Sequence, residues 1–280
     1  GNENFCESCG HDLKQKVDVV KEESDATEAL ISINVSKTQT LVFYDSFLIY
    51  KGTRLNYKDI DGMSYLLTRT KHSINFIPTH TSSTFKIKLE ANGHKYEVDS
   101  SATSFMFFQG KNQKEKEEIF GKLVYVLDNL IKRFVLINQL IKYGKENELK
   151  IGDSLTINSK GFFKKRFWRS PEFLPWDQYY NSVLHQGNFH IYKSDPSKKY
   201  KLYFACSMSV MNTAIFPDLL NILFQSSGVI NPEEIKDLEK KKDEIVPDEK
   251  AKDGSKNFCW SCSAPNETGQ KFCKHCGSKL

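Results

Sequence analysis

Apolar and polar positions alternate along two separate stretches of this chain, and each stretch ends where the period lengthens to that of a helix. In the first, Leu41-Val-Phe-Tyr-Asp-Ser-Phe-Leu-Ile-Tyr50 predicts two strands meeting at Asp45-Ser46, followed by a short extended piece over Leu55 to Ile60. Further strands are expected at Ser73 to Pro78, Thr84 to Glu90 and His94 to Val98. The last two join across Asn92-Gly93, the strongest short-range hairpin signal. From Glu115 the spacing changes: Ile119, Leu123, Val126, Leu127, Leu130, Ile131, Phe134, Ile137, Leu140 and Ile141 fall three or four apart. That pattern predicts one amphipathic helix to Tyr143, with Gly144 as its C-terminal cap.

The second stretch repeats the order in compressed form. Leu155-Thr-Ile157, the turn Asn158 to Gly161 and Phe162-Phe163 predict strand, turn and strand, and Phe173 to Tyr179 takes the place of Leu55 to Ile60. Strands follow around Phe189 to Tyr192 and Lys201 to Cys206. A closing helix runs from Asn212 or Ala214 to Phe224, its apolar face formed by Ile215, Leu219, Leu220 and Leu223. Both halves read as meandering antiparallel strands covered by a C-terminal helix, an α+β class, because the open end of a curled sheet needs an amphipathic cover. The Glu115 to Tyr143 helix is too long and apolar to serve one half alone. Residues 28–226 are therefore expected to form one rigid unit, with Phe134, Ile137, Leu140 and Ile141 packed on the second half.

Composition shifts set the boundaries. Lys14 to Thr27 is charged and lacks aromatics, and Asn231 to Lys256 offers almost nothing to bury beyond a short solvated helix between Pro232 and Ile245. The expected organisation is a knuckle at 1–14, a linker at 15–27, the two halves at 28–143 and 144–226, a charged linker at 227–256 and a terminal module at 257–280. A net charge of +5 is too small to imply nucleic acid by itself. The opening residues lack the order of a secretory leader and no apolar run approaches the ~18 residues that span a bilayer, so a soluble, cytoplasmic protein is expected.

Six of the seven cysteines lie in Cys-x-x-Cys pairs. Cys259-Trp-Ser-Cys262 and Cys273-Lys-His-Cys276 supply the four thiolates of a tetrahedral structural zinc site. Their short connection carries Pro265, Asn266 and Gly269, which suit a reversal of direction. The N-terminal pair Cys6 and Cys9 has no second knuckle. Four arrangements are open for it: a four-thiolate site shared across a homodimer, a site completed by His11 with water or a distant ligand, a redox pair, or a degenerate or truncated half-site. Cys206 reads as a small core residue.

Signals for catalysis are weak. His-Glu-x-x-His, Gly-x-Ser-x-Gly and phosphate-loop motifs are absent from the sequence. His72, His80, His94, His185 and His190 have no partner at motif spacing. Asp59 and Asp177 occupy matching places in the two halves and read as turn or cap residues. One run suggests a working surface: Lys164, Lys165, Arg166 and Arg169 around Phe167 and Trp168 form a candidate anion-binding patch. The plainer reading turns Phe167 and Trp168 into the core and the cations to water.

Tyr44 to Tyr50 with Tyr57-Lys-Asp-Ile60, and in the second half Gly161-Phe162, Leu174-Pro-Trp-Asp177, Gly187 to Ile191 and Asn212, together resemble the pleckstrin-homology-like (PH-like) superfold as found in bacterial proteins. That resemblance implies tandem PH-like β-barrel or sandwich domains, with the basic run near the loop where phosphoinositide binders carry cations. Phe272 to Leu280 resembles the short bacterial zinc-ribbon family, and Phe5 to Leu13 repeats its defining positions. The combination implies a binding role but no reaction. The expected function is thus a non-enzymatic scaffold that docks a protein, with an anionic membrane surface or nucleic acid as further partners. The alternative is a nucleic-acid-binding regulator, for which Lys256, Lys271, Lys274, His275 and Lys279 around the ribbon speak.

Overall fold

The computed structural model describes residues 29–36, 39–74, 77–105, 111–166 and 169–245, with 257–258 and 265–266 in the C-terminal module. Its first half begins with β1 (Ile31–Ser36), β2 (Gln39–Phe43), β3 (Phe47–Tyr50) and β4 (Thr53–Asn56), an antiparallel sheet in chain order. A 3-10 turn at Tyr57–Asp59 leads into a second sheet of β5 (Ile60–Ile74), β6 (Ile77–Ala91) and β7 (His94–Phe105), followed by α1 (Lys111–Leu130) and α2 (Lys132–Glu146). The second half repeats the plan. β8 (Glu148–Ile151), β9 (Leu155–Asn158), β10 (Gly161–Arg166) and β11 (Arg169–Pro175) form one sheet, and a 3-10 turn at Trp176–Gln178 leads to β12 (Tyr179–His185), β13 (Asn188–Asp195) and β14 (Lys199–Ser207). α3 (Phe216–Gln225) closes this half, and α4 (Pro232–Glu244) follows.

The alternation read from sequence governs burial: β2 buries Leu41 and Phe43, β3 buries Leu48 and Tyr50, and β9 buries Leu155 and Ile157. Each half turns its corner on one aromatic residue. Tyr57 is fully buried and its hydroxyl donates to the Tyr44 carbonyl at 2.7 Å, in the turn between β2 and β3. Trp176 repeats this, its indole N–H donating to the Asn158 carbonyl at 2.9 Å, at the turn between β9 and β10. Gly161 has φ +141, and a Cβ there would lie 2.2 Å from the Leu174 carbonyl oxygen. This is the close approach that places β10 against the end of β11.

Several expected boundaries change. Leu55 to Ile60 is not one extended piece, since Tyr57–Asp59 is helical. The strand expected at Ser73 to Pro78 spans the end of β5 and the start of β6, which pair at Ile74 and Ile77. The strands β1, β5, β8 and β12 are additional to those expected. The long helix breaks at Ile131 (φ −111), where the Phe134 N–H turns to the Ile131 carbonyl at 2.9 Å. α1 buries every residue from Leu123 to Leu127, so it is enclosed on all sides rather than amphipathic there. Asn147 in the left-handed conformation, not Gly144, ends α2. Gly144 serves packing instead: a Cβ there would lie 2.6 Å from Ile235 of α4. The short helix predicted before Pro247 is present and has a full capping box at Asn231 and Glu234. It lies along α2, with Lys145 and Glu239 paired at 2.7 Å, so this part of the charged segment is docked.

The two halves share one contiguous core reaching from Ile33 to Leu223. Phe134 packs its ring against Tyr57 of the first half, 6.1 Å between centroids. Asn138 and Gln139 donate to the carbonyls of Ile60 and Asp61 at 2.8 and 2.6 Å. The clamp between halves is Asn212. Its backbone N–H donates to the Met63 carbonyl at 2.8 Å and its side-chain oxygen accepts from the Met63 N–H at 3.1 Å, so one residue imitates a paired strand on the edge of β5. Asn212 has φ +69, which asparagine tolerates better than most residues. Asn212→Ala strands a buried N–H and strains the backbone, and should lower stability by about 2 to 3 kcal/mol within a single cooperative transition. Urea unfolding followed by fluorescence checks this; separate melting of two halves would contradict the clamp.

Candidate functional site

The basic run of β10 lies where Tyr203 of β14 meets the β10–β11 pair, its hydroxyl 3.1 and 2.7 Å from the carbonyls of Phe162 and Glu172. Phe162 points into the core, and the alternation carries Lys164 and Arg166 on the same side past the end of the apolar layer. There Lys164 donates to the Tyr203 carbonyl at 2.8 Å, and its ammonium sits 5.6 Å from the Tyr203 ring centroid, with Lys193 at 5.8 Å. Arg166 forms a salt bridge with Glu172, which Lys193 also reaches at 3.3 Å. Arg166 first, then Lys193, holds the Glu172 carboxyl below its usual range. Arg166 and Lys193 thus share an internal counter-ion, and an incoming anion gains them only in competition with Glu172. Lys165 is exposed on the opposite side of the strand. Trp168 lies outside the described residues, and Arg169 is described by its backbone in β11. Glu172 and Lys193, absent from the sequence reading, come together with the basic run only through strand pairing.

Histidines with no sequence partner meet across hairpins. His72 and His80 are register partners on β5 and β6, stacked at 4.1 Å. His185 and His190 sit on β12 and β13 with centroids 6.2 Å apart, and burial followed by the neighbouring His185 pulls His190 below its ordinary value. Their signal in sequence was position on either side of a turn in matching hairpins, not motif spacing. Asp59 accepts from Asn56 at 3.0 Å, a local turn bond. It is the third residue of its 3-10 turn whereas Asp177 is the second, so the matching residues are Tyr57 and Trp176 instead. Cys206 packs against the core, and burial pushes its thiol up to about 11, which leaves little thiolate for nucleophilic work.

The most perturbed carboxyl stands at the helix break. Burial pushes Asp128 up to about 6, against the pull of Lys132 and long hydrogen bonds from Tyr65, while Asp218 of α3 adds to the rise. Lys132 pairs with Asp218 at 2.7 Å. A carboxyl raised in the folded state binds its proton more tightly than in the unfolded chain. Its stabilising contribution is complete below the ordinary value and is lost as pH rises through about 6. Asp128→Asn should therefore match the wild type near pH 4 and exceed it by up to about 3 kcal/mol at pH 8. Urea unfolding across that range checks the sign, and a difference independent of pH would refute it.

In the C-terminal module, β15 (Asn257–Phe258) pairs antiparallel with β16 (Pro265–Asn266), Phe258 opposite Pro265. This hairpin encloses the segment that carries Cys259 and Cys262. Pro265 and Asn266, expected in a reversal between knuckles, are strand residues. The four C-terminal cysteines, like Cys6 and Cys9, lie outside the described residues. A family model for the zinc-ribbon domain matches residues 258–280. No curated protein matches this chain. The donor set of Cys259, Cys262, Cys273 and Cys276 fits zinc, since four thiolates complete a tetrahedral shell without water. No helix among the described residues is long and apolar enough to cross a membrane.

So small a module buries too little apolar surface to offset its chain entropy, and the metal must supply its stability. Purified protein should hold one zinc per chain. Cys273→Ser should release it and unfold residues 257–280, read by metal analysis and proteolysis, while the melting temperature of the body stays unchanged. Zinc-free protein with the four cysteines in disulfides would overturn this.

Proposed function

We propose that this chain is a non-enzymatic binding protein: two PH-like halves form one rigid body that docks a protein partner or an anionic surface, and the C-terminal zinc ribbon adds a second contact. The observation that supports it best is the repeated sheet, corner, sheet and helix order fused through one core and the Asn212 clamp. Such a body offers sheet faces in fixed relation, which suits recognition. The polar residues singled out from sequence also serve structural bonds: Asp59 in a turn, Arg166 with Glu172, Lys164 with a carbonyl. A cytosolic setting agrees with cysteines held for zinc rather than for disulfides. Two chains sharing one four-thiolate site through Cys6 and Cys9 would make the assembly a homodimer.

The test is affinity capture from the source cytosol with the full chain and with Cys273→Ser as baits. A protein recovered in fixed stoichiometry by the full chain, and reduced by the variant, supports the reading. Recovery no different from bare resin would sink it. The alternative of a nucleic-acid-binding regulator centred on the ribbon predicts instead a steep loss of oligonucleotide binding with salt that disappears in Cys273→Ser.

A further inference from the structure

The face of the β12 to β14 sheet turned away from the core carries a ladder of rings. Phe189, Ile191 and Tyr203 take the inward positions and are buried. The intervening positions therefore face water, with Tyr192 opposite Leu202 and Ser194 opposite Tyr200 in register. Tyr200 stacks on Tyr180 with centroids 5.2 Å apart and planes 18° apart, and meets Tyr192 edge-on at 5.4 Å. Tyr192 in turn contacts His190 at 6.0 Å. Tyr200 and Leu202 are each 48% exposed. The turn into β14 brings cations beside the rings: Lys198 and Lys199 are exposed, and the Lys199 ammonium lies 5.9 Å over the Tyr180 ring.

Clustered rings held half out of water contribute little to the fold, so the ladder lacks a structural purpose. Lys193 and Lys201, opposite each other in register, alternate to the other face, where Glu172 reaches Lys193. The cations left beside the rings are Lys198 and Lys199. Alternate residues of a strand lie about 6.7 Å apart, close to the phosphate spacing of an extended single strand. We infer that this face binds single-stranded nucleic acid, its bases on Tyr200 and the flanking rings and its phosphates on Lys198 and Lys199. A paired duplex hides its base faces and fits poorly. A neutral polysaccharide would use the rings but leave the lysines idle. The site is separate from the ribbon and from the Lys164 and Glu172 cluster.

The experiment is fluorescence anisotropy of the full chain with a fluorescein-labelled oligothymidylate of about fifteen nucleotides across a salt series. Wild type and Cys273→Ser should bind alike at low salt. Tyr200→Ala should weaken binding roughly five- to a hundredfold with the salt slope unchanged, and Tyr200→Phe should retain it. The Lys198 and Lys199 double alanine variant should reduce the log-log salt slope by about 1. All are surface changes, and unchanged melting temperatures establish that the variants fold. The inference is overturned by no binding at low salt, by Tyr200→Ala and the double variant both binding as wild type, by loss of binding in Cys273→Ser alone, or by Tyr200-dependent capture of amylose in place of the oligonucleotide.

Discussion

Everything in the body depends on how the chain turns from one sheet into the next. A strand that leaves its sheet must find partners for its backbone groups and cover for its apolar side. In both halves a buried aromatic residue in a single 3-10 turn supplies the cover, and its polar tip reaches back to a carbonyl in the preceding hairpin: Tyr57 to Tyr44, Trp176 to Asn158. The hydrogen bond matters because a buried phenol or indole N–H without a partner would cost more than the ring gains in specificity. In the second half the same residue also fixes the chain's exit. Trp176 lies so close to Gly228 that a Cβ there would fall 2.2 Å from the indole nitrogen, and the Gly228 carbonyl accepts from Tyr143 of α2 at 2.6 Å. One ring thus joins a sheet corner, the end of α3 and the long helical element.

The halves are held by a different balance. Apolar burial gives cohesion without direction, and the direction comes from a few polar groups in the seam: Asn212 on Met63, and Asp128 and Lys132 beside Asp218 of α3. Placing Asp128 there has a cost that partners only partly offset, as its raised proton affinity shows. The helix breaks at Ile131 close to this seam, and beyond the break the rings of Phe134 and Tyr57 lie 6.1 Å apart within the first half.

Much of this was legible in the sequence where one face of a strand is buried and the other is wet. The strands around Asp45-Ser46, the Asn92-Gly93 hairpin and the order of the repeat follow from period-two patterning. β5 was hidden because its far half, Thr68 to Ser73, runs beyond the core and carries polar residues on both faces. β8 and β12 are short or partly exposed, so their apolar residues make no clear period. Gly144 illustrates another limit: a glycine near a helix end suggests a cap, yet its cause is Ile235, far along the chain. The basic run was visible, but its counter-ion Glu172 and the second ammonium of Lys193 belong to other strands. The zinc module is the reverse case, since ligand type and spacing alone carry its chemistry.

Docking of α4 changes what the ribbon can do. A free charged segment from residue 227 would let the module explore a wide volume and contact partners independently. With Ile230, Leu238 and Ile245 packed against the body and Ile235 seated over Gly144, the chain is anchored as far as Ile245. From there to β15 at Asn257 a fully extended chain reaches about 40 Å, which sets the greatest distance of the ribbon from the end of α4. A partner touching body and ribbon together then meets the second contact at high effective concentration. In such an arrangement the docked helix, by shortening the span, sets that effective concentration.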